Sequence, residues 1–517
     1  MKRSEVPWQL AILIAILLLG LLLRLAPWGQ NRFLEDEALY AYWGLRIASG
    51  DDPMLDEEPV DKPPLHPYTL ALSFLLSEPF ESGGRESAAR LPSLLASMAS
   101  IVLVYTLGCH IFTSTRTGLI AALLLALSPF DILFASTAFT DPLMVALVLG
   151  ALAAAASNSY GLAGLLAGLA AATKQQGLLF LPLVIAVALL ASPPHHAVTE
   201  RPKGGVLPTN RLPAWLRFAL GFGLVLGGTL WWDLARVQRP GFLEQGLISY
   251  GGLAPAQAAS LGQRGAEWLG LVGAFWVSPL FNAVFFGTIL VWLFGGLIGW
   301  WQGWSRIDLV LGAFVVTYLL LHWLVGFQVW DRYLLGLVPV MALLGVRAFA
   351  TLRSPALGRL NLLLARARAA SLHRLYAIGV SVVLIAMLAG PALAAARSEL
   401  PLGGDHGAYD GIDDLADYMR TQVPPDSVLY HYWLGYHYRF YLYGVPLRLH
   451  WYPDLEDLTR DAQVYRSEPR YIAFPSWRDA EPIVSALNRA DISLVPVFQT
   501  TRRDGTVSFD LYRLDGP

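Results

Sequence analysis

The sequence is poor in two things that secreted and soluble proteins ordinarily have, namely cysteine and charge. Its 517 residues include a single cysteine, Cys109, so no disulfide can form within the chain. Charged residues make up 15% of the chain, whereas an average soluble protein has about 25%. The net charge of −2 gives no indication of a nucleic-acid partner. Composition therefore excludes a disulfide-rich domain and argues against an ordinary soluble enzyme.

Apolar residues, in contrast, make up 55% of the chain and gather in long runs, which excludes an intrinsically disordered protein. A helix needs ~20 mostly apolar residues to cross a bilayer. Eleven runs meet or approach this length, at 8–23, 91–112, 117–135, 142–157, 160–173, 176–191, 214–232, 281–300, 307–325, 333–351 and 376–396. The sequence therefore predicts a polytopic α-helical membrane protein with about eleven spans, an odd number.

Basic residues are distributed unevenly, and this predicts the orientation of the chain in the membrane. Lys2 and Arg3 precede the first run, and the stretch 347–374 carries six arginines and no acidic residue. The loop at 26–89 instead holds twelve acidic and four basic residues. Because lysine and arginine favour the cytoplasmic side, we expect a cytoplasmic N-terminus, with the loop and the C-terminus outside. The expected location is the plasma (inner) membrane.

The composition changes abruptly near residue 400. Residues 401–517 contain no run long enough to span a bilayer and are rich in Asp, Arg and Tyr. Strand-like segments alternate with helix-like ones, at 412–422, 427–430, 471–474, 481–490 and 494–497. This alternation predicts a small α/β domain. We therefore divide the chain into a transmembrane domain at 1–400 and a soluble extracytoplasmic domain at 401–517.

The acidic loop at 26–89 is far longer than most connections, and long loops are usually functional. A helical stretch begins at Glu35-Asp36-Glu37, and its periodicity places Asp36 and Tyr40 on one face while Glu37 points elsewhere. Three acids at this point can simply complement a helix N-terminus. Lys62, later in the loop, can be an ordinary solvated charge. Spacing alone does not decide between these explanations and a catalytic site.

Four short motifs follow one another along the chain. They are Asp36-Glu37-x-x-Tyr40 with Asp61-Lys62-Pro63-Pro64, then Thr140-Asp141-Pro142, then Thr173-Lys174 after a Gly/Ala-rich helix, and Asp331-Arg332-Tyr333-Leu334-Leu335. Together they resemble the GT-C membrane glycosyltransferases, within them the protein O-mannosyltransferase and aminoarabinose-transferase-like group. The resemblance covers roughly residues 8–400. It implies a GT-C fold and transfer of a sugar from a polyprenyl-phosphate donor to a hydroxyl acceptor outside the cytoplasm.

The resemblance also implies a role for each matching residue. Asp36 would be the general base that takes the proton of the acceptor hydroxyl, with Glu37 and Asp141 as further catalytic residues. The donor and its phosphate would be bound by Tyr40, Lys62, Lys174, Arg332 and Tyr333. The expected reaction is a single displacement with inversion at the sugar.

Simpler explanations exist for several of these residues. Asp141 precedes a proline, a pattern typical of a helix N-cap. Lys174 can extend from a helix end to the membrane surface, and Arg332 with Tyr333 can anchor a span at the interface. The residue pattern leaves these explanations open beside the functional ones.

No cofactor follows from the sequence with certainty. Some relatives use a divalent metal ion, and Asp61 and His66 could contribute ligands, but two residues fall short of a metal-site spacing. The aminoarabinose-transferase branch has Glu before Lys-Pro, whereas this chain has Asp61 and a double proline. The sugar and the acceptor, whether protein, lipid or cell-envelope glycan, are therefore not identified.

Two other functional classes fit a polytopic chain with a soluble tail. One is a transporter or flippase of a lipid-linked glycan, but transporters place ionisable residues near the bilayer midplane, and here the candidates lie mostly at external helix ends. The other is a non-catalytic envelope scaffold, in which the aromatic segment 430–443 would stack on sugars. Aromatic residues at this spacing more often pack a core.

Overall fold

The computed structural model describes residues 8–77, 85–191, 212–236, 240–250, 252, 254–298, 305–364, 369–465 and 467–516. Up to residue 396 of the chain, the regular elements of the described residues are helices. In order its helices are α1 (Trp8–Leu25), α2 (Glu35–Ser49), α3 (Leu65–Ser77), α4 (Arg85–Phe112), α5 (Thr115–Ala126), α6 (Pro129–Phe134), α7 (Asp141–Ala156), α8 (Tyr160–Thr173), α9 (Leu181–Ala191), α10 (Ala214–Ala235), α11 (Phe242–Tyr250), α12 (Leu261–Gly273), α13 (Pro279–Leu297), α14 (Arg306–Leu324), α15 (Leu337–Leu364) and α16 (Ala369–Ala396). Short 3-10 helices lie at Gln175–Phe180, Ala258–Ser260 and Asp331–Leu334.

These helices identify a polytopic membrane protein. Within the described residues, α1, α4, α10, α13 and α14 are long and apolar enough to span a bilayer. Six shorter apolar helices fall in the remaining predicted runs. The run at 117–135 is not one helix. Helix α5 ends at Ala126, and Pro129 begins a separate helix, α6. Proline lacks an N–H and cannot continue the preceding helix. The count of eleven spans stays a prediction.

A polar group is buried where α1, α4 and α6 meet. Arg24 at the end of α1 is fully buried, and its guanidinium pairs with Asp131 of α6. Ser97 of α4 accepts from Arg24 Nε at 2.6 Å and donates to Asp131 Oδ2 at 2.6 Å. The remaining N–H groups of Arg24 reach backbone carbonyls of Gly20, Leu125 and Ala126. Buried charges are tolerated when they are paired and hydrogen-bonded in this way.

The C-terminal part forms a mixed sheet flanked by helices. Its elements are α17 (Ile412–Gln422), β1 (Val428–His431), α18 (Gly435–Tyr441), β2 (Arg448–Trp451), α19 (Leu455–Val464), β3 (Arg470–Pro475), α20 (Glu481–Arg489), β4 (Ser493–Thr501) and β5 (Val507–Asp515). The strand order is β2-β1-β3-β5-β4, with β2 and β3 parallel to β1 and with β5 antiparallel to both β3 and β4. The predicted strands match β1, β3 and β4, whereas β2, β5, α18 and α19 were not predicted.

The aromatic segment 430–443 is divided between the core and the surface. Tyr430, Tyr438, Phe440 and Tyr441 are buried, as expected for packing residues, while Tyr432 and Tyr436 are exposed. Helix α18, which carries several of these rings, packs against α2 of the acidic loop. The C-terminal sheet domain is therefore in direct contact with the loop that holds the candidate site.

Candidate active site

The acidic loop folds into two helices that pack on each other. Helix α2 begins after Leu34, whose backbone N–H donates to Glu37 Oε2 at 3.1 Å, and three acids occupy its first turn, where they complement the helix dipole. Helix α3 lies against α2 at Gly44, where an added Cβ would come within 2.7 Å of Leu70 Cβ. This close packing fixes the rotation of α2 about its axis, and with it the direction in which Asp36 points.

Three basic side chains that the sequence predicts to bind the donor phosphate come together beside this face. Each of them is paired with a carboxylate. The pairs are Arg332 Nη2 with Asp36 Oδ2 at 2.7 Å, Lys62 Nζ with Asp61 Oδ2 at 2.8 Å, and Lys174 Nζ with Asp141 Oδ1 at 2.6 Å. We call Lys62, Lys174 and Arg332 the cation cluster, and all three are buried. Burial lowers the pKa of Lys62, the nearby Arg332 lowers it further, and the Asp61 and Asp36 carboxylates raise it. The first two pairs therefore lie within each other's electrostatic field.

Aromatic rings line the cation cluster. Lys62 Nζ lies 4.1 Å from the ring centroid of Tyr250 and donates to its hydroxyl at 2.6 Å, and it lies 5.9 Å from the Tyr40 ring. Arg332 lies over both Trp330 and Phe139, at 4.2 and 4.7 Å. Lys174 Nζ lies 4.7 Å from the Tyr333 ring. Ring faces stabilise cations in a desolvated site, so these charges are held in place by two kinds of contact.

The three carboxylates differ in how accessible they are. The side chain of Asp36 is 32% exposed, against 11% for Asp61 and 1% for Asp141. Asp141 is the first residue of α7, after Thr140 at the cap position, and it accepts from Lys174 and Thr140 rather than capping the helix. Asp36 is therefore the carboxylate of the three that a solute can reach most easily.

Glu37 points away from the cation cluster. Its side chain is buried, and Oε1 accepts the backbone N–H of Ala138 at 2.7 Å. His66 Nε2 donates to the carbonyl of the same residue at 2.9 Å. Burial lowers the pKa of His66 to about 4, so its ring is neutral. Glu37 and His66 thus hold the backbone of Ala138, one through its N–H and the other through its carbonyl, three residues before Asp141.

The environment of Glu37 predicts a pH-dependent stability. Burial raises its pKa from 4.5 to about 7, although Arg90 and the two N–H donors lower it. The folded protein therefore keeps this proton where the unfolded chain has lost it. The resulting stabilisation is complete below about pH 4.5, falls as the pH rises to about 7, and is then absent. It is on the order of 3 kcal/mol, at about 1.4 kcal/mol per pKa unit.

Thermal unfolding of the detergent-purified protein between pH 4.5 and 8 measures this component. In Glu37→Gln the fall in stability over that range should be smaller than in the original protein. Glu57→Gln, on the exposed side of the same loop, serves as the matched control and should keep the original slope. Identical slopes for all three proteins would contradict the assignment.

The structure adds residues that the sequence did not indicate. Tyr250, Trp330 and Phe139 lie outside the four motifs, and no local pattern marks them as part of a site. Asp61 belongs to one of the motifs and was considered as a metal ligand, and in the structure it is the ion-pair partner of Lys62. Within the described part of the chain, no group of three or more His, Cys, Asp or Glu side chains is arranged to hold a metal ion.

Comparison with known proteins gives one family match over part of the chain and a fold match over nearly all of it. The family model described as dolichyl-phosphate-mannose-protein mannosyltransferase matches residues 61–206, which include Lys62, Asp141 and Lys174. No curated protein sequence shows a significant match. The fold is similar to crystal structures of ArnT from Cupriavidus metallidurans in the apo state and bound to undecaprenyl phosphate. Both have a TM-score of 0.61 over 97% of each chain, at 18% and 17% identity.

The resemblance noted in the motifs is thus confirmed by a family match and by a shared fold. The fold match extends over the transmembrane helices and the C-terminal mixed sheet alike. The chain is therefore an integral membrane protein with the fold of ArnT, and its residues 61–206 match the dolichyl-phosphate-mannose-protein mannosyltransferase family.

Proposed function

We propose that the protein transfers a monosaccharide from a polyprenyl-phosphate donor to a hydroxyl acceptor on the extracytoplasmic face of the membrane. The observation that carries the proposal is the cation cluster, in which three buried basic side chains lie beside a partly exposed carboxylate, Asp36. Phosphate oxygens are well matched to such donors. The ArnT structure bound to undecaprenyl phosphate supports a lipid phosphate as the ligand.

The position of Asp36 beside the cation cluster supports a role as the general base. Asp36 takes the proton of the acceptor hydroxyl as the oxygen forms a bond to the anomeric carbon. The bond between that carbon and the phosphate oxygen breaks, and the polyprenyl phosphate leaves with the electron pair. The cation cluster stabilises the negative charge that develops on the phosphate. Attack from the side opposite the leaving group inverts the anomeric centre.

The ion pair between Asp36 and Arg332 bears on the order of events. The guanidinium of Arg332 occupies one oxygen of the Asp36 carboxylate. A phosphate that binds Arg332 competes with Asp36 for the guanidinium. Donor binding therefore frees the Asp36 carboxylate from its ion pair, so that it can accept the hydrogen of the acceptor hydroxyl.

The other residues support this reaction less directly. Glu37, whose two oxygens accept backbone N–H groups, and Asp141, which pairs with Lys174, are positioning residues in this proposal. Tyr40 and Tyr333 hold Lys62 and Lys174 through their rings. The distribution of acidic and basic residues supports an extracytoplasmic site, with the N-terminus in the cytoplasm.

Donor recognition is tested by binding of undecaprenyl phosphate to the full-length protein in nanodiscs. We expect stabilisation against thermal unfolding, about 2.7 kcal/mol at a hundredfold excess over Kd. Phosphate-free undecaprenol should give little. Lys62→Ala should weaken binding about tenfold, since a hydrogen bond to a charged group contributes about 1.5–3 kcal/mol. Arg264→Ala, outside the cluster, should not change it.

Transfer itself is tested with radiolabelled polyprenyl-phosphate hexoses and pentoses, supplied with envelope lipid and protein fractions as acceptors. We expect label to enter an acceptor through a new glycosidic bond. Movement of intact labelled lipid across the bilayer without bond formation would instead identify a flippase. Equal binding of undecaprenyl phosphate and undecaprenol would contradict the assigned role of the cation cluster.

A further inference from the structure

The segment 400–411, which joins α16 to α17, contacts two distant parts of the active site. We call it the anchor segment. The backbone N–H of Gly403 donates to Asp331 Oδ2 at 2.9 Å, and Asp405 Oδ1 accepts the backbone N–H of Arg32 at 3.0 Å. Gly404 adopts a φ of +76°, and a Cβ there would lie 2.6 Å from Asn31 Nδ2. The path of this segment therefore requires glycine and is tightly fitted to the helical domain.

On one side, the anchor segment fixes Arg332. Asp331 uses its second oxygen, Oδ1, to accept the backbone N–H of Arg332 at 2.7 Å. One carboxylate thus connects Gly403 of the anchor segment to the first turn of the 3-10 helix Asp331–Leu334. A carboxylate that accepts backbone N–H groups from two segments restrains the backbone of both segments. The position from which the Arg332 side chain extends is set by this bridge.

On the other side, the C-terminal domain holds the residues that immediately precede Asp36. Tyr409 of the anchor segment donates from its hydroxyl to Glu35 Oε1. His437 of α18 donates from Nε2 to the backbone carbonyl of Phe33 at 2.8 Å. The rings of Tyr409 and His437 stack, with centroids 4.1 Å apart. Together with the Asp405 contact to Arg32, these bonds hold the entry to α2 along three of its residues.

We propose that the anchor segment positions Asp36 and Arg332 against each other, so that the C-terminal domain is a working part of the transferase site. Asp331 and Asp405 are the positioning residues. The 2.7 Å contact between Asp36 and Arg332 joins elements almost 300 residues apart, and both elements are attached to this one segment. The link to catalysis rests on the proposed function, whereas the mechanical coupling does not.

The first test is a double-mutant cycle with Asp331→Ala and Asp405→Ala in the full-length enzyme. We expect Asp405→Ala to lower kcat about 10- to 100-fold with little change in the donor KM, because it displaces the base. Asp331→Ala should raise the donor KM as well, because Arg332 is a phosphate ligand. Since both release the same segment, the double variant should lose less than the product of the two single losses. Arg460 forms an exposed ion pair elsewhere in this domain. Arg460→Ala should therefore keep the kcat and the donor KM of the original enzyme.

The second test does not depend on activity. Hydrogen exchange should rise at residues 331–336 in Asp405→Ala, although Asp405 hydrogen-bonds to Arg32 and Tyr409, and at residues 32–40 in Asp331→Ala. Should an alanine variant fail to fold, the corresponding Asp→Asn variant, which keeps one accepting oxygen, is measured in the same way. Exchange that rises only next to the substituted residue, together with fully multiplicative activity losses, would overturn the proposal.

The two proposals can fail separately. If Asp36→Asn keeps full transferase activity, the assignment of Asp36 as the base is wrong, while the exchange results still test the coupling. If Asp36→Asn is inactive but Asp331→Ala and Asp405→Ala match the original enzyme in activity and exchange, the anchor proposal alone is wrong.

Discussion

Asp36→Asn is expected to lower the rate of sugar transfer by about 10²- to 10⁴-fold, the usual contribution of a general base. The amide occupies the same volume but cannot take the proton of the acceptor hydroxyl. Donor binding should survive and even strengthen, because Arg332 loses the carboxylate that pairs with it at 2.7 Å. An inactive variant that binds undecaprenyl phosphate at least as well as the original protein is the specific expected result.

Single-turnover transfer assays and undecaprenyl-phosphate titrations measure the two quantities independently. Glu57→Gln offers a control of the same chemistry, since Glu57 lies in the same loop with an exposed side chain paired to Arg46. Its activity should remain close to that of the original enzyme. A transfer rate in Asp36→Asn within twofold of the original would place the base elsewhere, and a loss of donor binding equal to the loss of rate would indicate a structural defect.

Asp131→Ala is expected to produce the largest loss of stability, about 3–5 kcal/mol. The substitution removes the carboxylate that pairs with the fully buried Arg24. It leaves a guanidinium without a counter-charge between α1, α4 and α6. Thermal unfolding of the detergent-purified protein would show this as a marked fall in the unfolding temperature, or as loss of the folded protein on expression.

The matched comparison is the double variant Arg24→Met with Asp131→Leu. Replacing both partners by apolar groups of similar size is often neutral for a buried pair, so the double variant should be considerably more stable than Asp131→Ala. If the single and double variants were equally unstable, the loss would come from packing rather than from the uncompensated charge.

The sequence predicted most of the helical framework because apolar runs of spanning length are a strong and local signal. It also separated Asp36 from Glu37 correctly, since the helical period alone sends them to different faces of α2. What it could not predict was which charges meet. The pairing of Asp141 with Lys174 spans 33 positions, and that of Asp36 with Arg332 depends on the packing of the whole bundle.

Other features were missed for more specific reasons. Strand β2 is only four residues long and contains Arg448 and His450, so it has no apolar run. Tyr250 is the last residue of α11, a helix with no recognisable motif, and its contact with Lys62 becomes visible only in three dimensions. The helix break before Pro129 has a plain sequence signal, yet the apolar run around it was long enough to conceal it.

The pairing of every member of the cation cluster with a carboxylate has a consequence for how ligands arrive. Three positive and three negative groups cancel, so the site exerts little long-range attraction on anions in solution. Free phosphate or a soluble sugar phosphate would gain nothing from diffusion toward such a site. A ligand already concentrated in the bilayer by its hydrocarbon chain needs no such attraction, and short-range exchange of ion partners is sufficient to hold its headgroup. If the site binds a lipid phosphate as proposed, its charge neutrality at rest favours membrane-borne ligands over dissolved ones.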